Sequence, residues 1–313
     1  MYVRYDGATV TSWKPEALKG KEVFFMPKIA PWGEEVHGGL PICWPWFGKP
    51  SGELSVGSRV PRDRIPKHGL ARYLKWRLVN RVGKDGVILE TASTPETMKV
   101  WPHAFKLTAK IFVAGPNGLR IAVTETNTGK TAYESAFGVH PYFVVADACD
   151  VMLDGERLPK PWVIKEFAAD GKSHELQDFA GKVAYSVMSS GNDTWYVWNP
   201  GVERTPLCET LGPDEWRRFF CLEPFPATIN VFFYSQRAYF RSNDKQVNTP
   251  VIHQKIDKNI VITNIFGTNH IKNFHQSPSG VGCRVNPLKE RSTIILFHFG
   301  PVILSFVGVI FVD

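Results

Sequence analysis

Residues 105–123 limit the fold of this chain more than any other stretch. Phe105, Leu107, Ala109, Ile111 and Val113 hold alternate positions, Gly115-Pro116-Asn117-Gly118 follows, and Leu119, Ile121 and Val123 alternate again. A period of two turns one face of an extended chain to the core, and Gly, Pro and Asn supply the angles that reverse it. The pattern predicts a β-hairpin. Gly86-Val87-Ile88-Leu89-Glu90 and Trp195-Tyr196-Val197-Trp198 predict further strands, with shorter ones at 23–26 and 76–79. Helical patterning is confined to a short stretch around 95–100. Many short strands with Gly/Pro turns indicate an all-β sandwich or barrel.

The composition changes near residue 226. All ten tryptophans lie in residues 1–216, whereas isoleucine rises from seven in 1–225 to eleven in 226–313. This predicts a body over 1–225 and a divergent tail over 226–313. The tail is either sequence of different coding origin, as from a mis-set gene boundary, or a genuine appended segment. It holds nine Lys/Arg against four Asp/Glu, while the body holds 28 against 26. A nearly neutral body gives no basic face for nucleic acid, so no such partner is expected. Residues 293–312 form a run of twenty without formal charge, preceded by Lys289, Glu290 and Arg291. That length meets the bilayer requirement, so a membrane contact is expected only there, as a C-terminal anchor. The competing reading is a buried strand pair, because Gly300-Pro301 would break a helix. The five cysteines are scattered, with no CxxC pair and no HExxH motif, which favours a reducing compartment and argues against a metal site. No apolar leader opens the sequence, and a cytoplasmic location is expected.

Two titratable side chains stand out. His140 lies between Ala136-Phe137-Gly138-Val139 and Pro141-Tyr142-Phe143. It is either a satisfied core histidine or a proton donor working near its ordinary pKa of about 6.5. Glu223 lies in Phe219-Phe220-Cys221-Leu222-Glu223-Pro224. A carboxylate among so many apolar neighbours is costly unless it has a task, and partial burial would make it a better base; the plain alternative is an exposed strand end. His68 precedes Gly69 in a loop, and Arg59, Arg62, Arg64, Lys67 and Arg72 form a basic stretch with Asp63 its one acid. Such a run is either a solvated face or a phosphate contact. Trp44, Trp46 and Phe47 read as core, although an aromatic face also stacks on a sugar ring.

Several segments, in this order, resemble the hexose-6-phosphate mutarotases (glucose-6-phosphate 1-epimerases) of the aldose 1-epimerase group. They are Gly7-Ala8-Thr9-Val10-Thr11-Ser12-Trp13-Lys14-Pro15, Gly39-Leu40-Pro41-Ile42-Cys43-Trp44-Pro45-Trp46-Phe47-Gly48, His68-Gly69-Leu70-Ala71-Arg72, Trp101-Pro102-His103, Asn127-Thr128-Gly129, His140-Pro141-Tyr142-Phe143, Trp198-Asn199-Pro200-Gly201 and Cys221-Leu222-Glu223-Pro224. The resemblance spans roughly residues 5–225 and implies a galactose-mutarotase-like β-sandwich (supersandwich) with its N-terminal edge clipped. It implies interconversion of the α and β anomers of an aldohexose 6-phosphate, with Glu223 as base and His140 as acid. Neither a cofactor nor a metal is implied. A non-catalytic carbohydrate-binding relative, or a mutarotase of unphosphorylated aldoses, is the alternative. Substrate contacts are expected from Arg72, Lys67, His68 and His37, in a monomer. His37 stands where the group carries Arg, and Lys67 where it carries Gln. Lys182 falls where an Asp is expected. The closing strands expected after Glu223 are replaced by the divergent tail.

Overall fold

The computed structural model describes residues 1–29, 36–50, 58–158, 165–168, 173–178, 184–190, 192, 194–225, 230–232 and 256–264. The alternating segment forms the hairpin its pattern predicts, Phe105–Ala114 paired antiparallel with Gly118–Asn127, with Ile111 opposite Ile121 and Ala114 opposite Gly118. The inward residues Phe105, Leu107, Ala109, Ile111, Leu119, Ile121 and Val123 are all buried. This hairpin lies inside a nine-stranded antiparallel sheet. Its order is Glu156–Arg157, Val151–Leu153, His174–Asp178, Ala184–Ser190, Ile256–Asn264, Gly118–Asn127, Phe105–Ala114, Gly86–Ala92, Arg77–Arg81. The short helix is Pro95–Val100, closed at its start by reciprocal bonds between Thr94 and Thr97. Residues 23–26 form no strand; Phe24 makes an isolated bridge to Phe143.

One strand of the large sheet comes from beyond residue 225. Ile256–Asn264 pairs with Ala184–Ser190 on one side and Gly118–Asn127 on the other. The compact unit that contains the sheet runs from Met1 to Thr268. A central position must be filled for both neighbours to satisfy their backbone groups, so the tail supplies a closing strand where a replacement of the fold was expected. The N-terminal edge is also paired, Tyr2–Val3 against Val10–Ser12. Among the described residues no helix is long and apolar enough to cross a membrane. The apolar run 293–312 and Lys182 lie outside the described residues.

A second, four-stranded sheet has the order Tyr142–Val144, Phe219–Phe225, Thr194–Trp198, Lys165–Ala168. Phe219–Phe225 has a neighbour on each side and is buried throughout. Alternation sorts its side chains. Phe220 and Leu222 join the main hydrophobic cluster, with Trp195, Val197, Val139 and Phe143 from neighbouring segments. Phe219 and Cys221 pack into a second, smaller cluster with Phe25 and Tyr142. Glu223, two residues beyond Cys221, faces the same way as that second cluster, away from the main core.

Candidate active site

His140 is placed by its own backbone, whose N–H donates to the Pro41 carbonyl at 3.1 Å, just before Tyr142 enters the four-stranded sheet. Glu223 sits opposite Tyr196 in the strand register. The two distant residues converge: His140 Nε2 lies 3.3 Å from Glu223 Oε1, and both side chains are buried. They form the floor of a cleft of about 320 Å³. One wall is aromatic. Phe47, Tyr196 and Phe225 stack with ring planes within 21° and centroids 4.4–5.9 Å apart, and Trp198 continues the lining. Lys49, Lys67 and His68 complete the polar lining. Both lysines are exposed, and neither forms an ion pair with a described carboxylate.

The loops that carry these groups are tied together by hydrogen bonds. The N–H groups of Leu70 and Ala71 donate to the Trp44 carbonyl at 2.6 and 3.0 Å, and Trp46 Nε1 donates to the Pro66 carbonyl at 2.8 Å. The His68 N–H donates to the Gly48 carbonyl at 2.7 Å, and the Gly48 N–H is 3.2 Å from His68 Nδ1. With Nδ1 accepting, neutral His68 carries its proton on Nε2. Its ring meets His140 edge-on, with centroids 5.1 Å apart.

Burial governs the protonation of the floor. It pushes the Glu223 carboxyl well above its usual range, against the weaker pull of Lys67 and Arg72. It holds the His140 imidazole well below its usual value, an effect reinforced by His68, Arg72, Lys67 and His37. His68 is held down in the same way, chiefly by burial and then by Arg72, Lys67 and His37. Burial thus biases the pair toward a neutral imidazole beside a protonated carboxyl.

This has a measurable consequence for stability. The usual carboxyl value is 4.5, and the folded value of Glu223 lies well above it. Between the two, the folded chain holds a proton that the unfolded chain has released, so wild-type stability falls as pH rises. Glu223→Gln removes that titration. Denaturant melts should show the variant gaining on the wild type as pH rises above about 5, by up to about 1.4 kcal/mol per pH unit. A gap that stays constant with pH would mean that Glu223 is ionised in the folded protein.

The structure separates the expected substrate contacts. Lys67 and His68 line the cleft. Arg72 is buried among the loops, where its Nη2 donates to the Val36 carbonyl at 3.0 Å, and it does not line the cleft. His37 stands behind the wall: its backbone N–H donates to Thr210 Oγ1 at 3.1 Å, its Nδ1 lies 3.0 Å from the same oxygen, and its ring stacks on Trp198. Arg59, Arg62 and Arg64 are solvent-exposed. Trp44 and Trp46 are core, whereas Phe47 lines the cleft. Sequence reasoning missed Lys49, Tyr196, Trp198, Phe225 and Cys221. Among the described residues, the one grouping of three potential metal ligands is His140, Cys221 and Glu223.

A family model described as aldose 1-epimerase matches residues 5–159. The chain is 35% identical over 248 residues to a Salmonella typhimurium protein named "Putative glucose-6-phosphate 1-epimerase", a match covering 71% of this chain and 78% of that one. A Salmonella typhimurium crystal structure described as a "putative mutarotase" superposes with a TM-score of 0.63 at 23% identity, over 84% of this chain and 86% of that one. A galactose mutarotase related enzyme from Lactobacillus acidophilus gives a TM-score of 0.59 at 14% identity, over 85% and 94% of the two chains. The two superpositions show a galactose-mutarotase-like, all-β sandwich fold.

Proposed function

Because the chain belongs to the aldose 1-epimerase family, we propose that it interconverts the α and β anomers of an aldohexose 6-phosphate, glucose 6-phosphate first among them. The observation that carries this reading is the buried His140–Glu223 pair at the floor of an aromatic-walled cleft, 3.3 Å apart. The cleft volume lies within the range of about 300–1,000 Å³ typical of small-molecule sites. Stacked aromatic faces suit the C–H face of a pyranose, and the two rim lysines suit an anion. The reading includes a monomer that acts in the cytoplasm without a cofactor.

The chemistry needs one proton on the pair. With Glu223 ionised and His140 protonated, the carboxylate takes the proton of the C1 hydroxyl while the imidazolium gives its proton to the ring oxygen. The bond from C1 to the ring oxygen breaks and a free aldehyde forms. This leaves Glu223 protonated and His140 neutral, the arrangement that burial favours at rest. Rotation about C1–C2 presents the other carbonyl face. The C5 hydroxyl then attacks, His140 takes its proton, and Glu223 returns one to the new C1 hydroxyl. The arrangement favoured at rest is thus the one that closes the ring.

Arg72 donates to Val36, so Lys67, with Lys49, is assigned the phosphate end. The same commitment of Arg72 favours the rival reading, a neutral aldose, and one experiment separates the two. NMR exchange between anomers is followed on one sample with glucose 6-phosphate and then with glucose. Exchange of the phosphate ester should exceed the buffer rate and the rate with glucose. Lys67→Ala should lower kcat/KM for glucose 6-phosphate by about 10–100-fold, as expected for a lost charge-assisted bond, and lower that for glucose much less. Equal losses on both sugars would remove Lys67 from the phosphate end. Buffer-rate exchange with both sugars would refute the activity.

A further inference from the structure

Cys221 has no part in the chemistry above, yet it lies where that chemistry occurs. Alternation along Phe219–Phe225 turns it to the same face as Glu223, and the ligand atoms of His140, Cys221 and Glu223 all lie within 4.8 Å of one another. All three residues are buried. Glu223 Oε1 faces His140 Nε2 without hydrogen-bond alignment, so this fully buried oxygen has no hydrogen-bond partner among the described residues. A buried imidazole, thiol and carboxyl within 4.8 Å of one another, with one carboxyl oxygen unpartnered, make a donor set for zinc.

We infer that His140, Cys221 and Glu223 form a binding site for a thiophilic divalent cation such as Zn²⁺, entered through the sugar cleft and excluding the sugar when filled. The spacing fits. Bonds of about 2.0–2.1 Å to nitrogen and oxygen place two tetrahedral ligands about 3.3–3.4 Å apart, and His140 Nε2 and Glu223 Oε1 are 3.3 Å apart. Three protein ligands leave a fourth position, and two of the three, His140 and Glu223, line the cleft. The charges also close. A thiolate, a carboxylate and a neutral imidazole bring two negative charges to a doubly charged ion, so the filled site is neutral. Two protons leave to solvent, one from Cys221 and one from the His140–Glu223 pair.

The surroundings select the class of metal. Lys67 at the rim and Arg72 behind it repel any free cation, and hard ions such as Mg²⁺ prefer all-oxygen ligands that this site lacks. A soft ion recovers the cost through the sulfur bond. His140 Nδ1 has no hydrogen-bond partner among the described residues, so the imidazole lacks the outer bond that tightens resident zinc sites. The site therefore takes its ion reversibly and acts as an inhibitory switch on the proposed acid–base pair.

The test uses the untagged full chain with ZnCl₂ and CoCl₂ as probes, beside Cys221→Ala and Cys221→Ser. One equivalent of zinc should bind, measured by competition with a chromophoric indicator. Cobalt should give a near-ultraviolet thiolate-to-metal charge-transfer band that both variants lack. Zinc should suppress wild-type anomer exchange to near the buffer rate, EDTA should restore it, and MgCl₂ should do nothing. Both variants should keep their exchange in the presence of zinc. The inference is overturned if the cobalt band is missing from the wild type, or if zinc inhibits the variants as strongly. The band and the stoichiometry need no turnover. They decide the metal site even if the proposed activity fails, so the two failures are distinguishable.

Discussion

Glu223→Gln is expected to cut protein-dependent anomer exchange of glucose 6-phosphate by about 10²–10⁴-fold, the usual worth of one positioned proton-transfer group. Gln keeps the shape of Glu and is neutral, the form that burial favours for the carboxyl, so the variant should fold at least as well as the wild type. It cannot accept the C1 hydroxyl proton. His140→Asn should produce a loss of the same order, because a carboxylate without an acid partner leaves the ring oxygen unprotonated. The double variant should be little worse than the poorer single one, since the two groups 3.3 Å apart act on one proton. Anomer exchange by NMR, with a melt of each variant as control, decides the matter. A well-folded Glu223→Gln protein with wild-type exchange would exclude Glu223 as the base.

Glu223 was legible because it breaks its local pattern, whereas the role of His140 and its pairing with Glu223 came from the family resemblance. Glu223 is a charge inside a continuous apolar strand, and such a charge implies either a task or a partner. His140 follows a buried strand and precedes a proline. What alternation could not settle was which face carries the site. In Trp195-Tyr196-Val197-Trp198 both faces are aromatic or apolar, so period two separates 196 and 198 from 195 and 197 without saying which set meets the core. Only the sheet partners decide that Trp195 and Val197 are core while Tyr196 and Trp198 line the cleft. The place of Arg72 was hidden for a related reason. A guanidinium in a basic stretch reads as an anion contact, but its donation to the Val36 carbonyl depends on how two loops fold over one another. Lys49 carried no signal, since an exposed lysine after Phe47-Gly48 is ordinary until the cleft is formed. The closing strand 256–264 was hidden by composition: a tail with different residue usage can still complete a sheet, because backbone pairing does not depend on side-chain origin.

Among the described glycines, Gly69→Ala should be the most damaging added methyl, at about 3–5 kcal/mol of stability. Gly69 has φ +79°, and a Cβ there would lie 2.1 Å from the Trp44 carbonyl oxygen and 2.3 Å from its carbon. Both are backbone atoms, held by the donations of Leu70 and Ala71 to that same oxygen, so no rotamer change can relieve the clash. Gly48 supplies the control. Its φ is +69°, yet a Cβ there would meet nothing within 4 Å. Gly48→Ala should therefore cost only the left-handed backbone penalty of about 1–2 kcal/mol. For a unit of this size the difference should appear as a melting temperature roughly 6–20 °C below the wild type for Gly69→Ala, and a far smaller drop for Gly48→Ala. The effect reaches the chemistry as well. The only escape from the clash is to move the 66–72 loop away from Trp44, which carries His68 off the His140 ring and Lys67 off the rim. Gly69→Ala should then lose anomer exchange even below its own melting point, whereas Gly48→Ala should lose much less. Equal melting temperatures for the two variants would show that the loops are not locked at Trp44, and the positioning of His68 would need another cause.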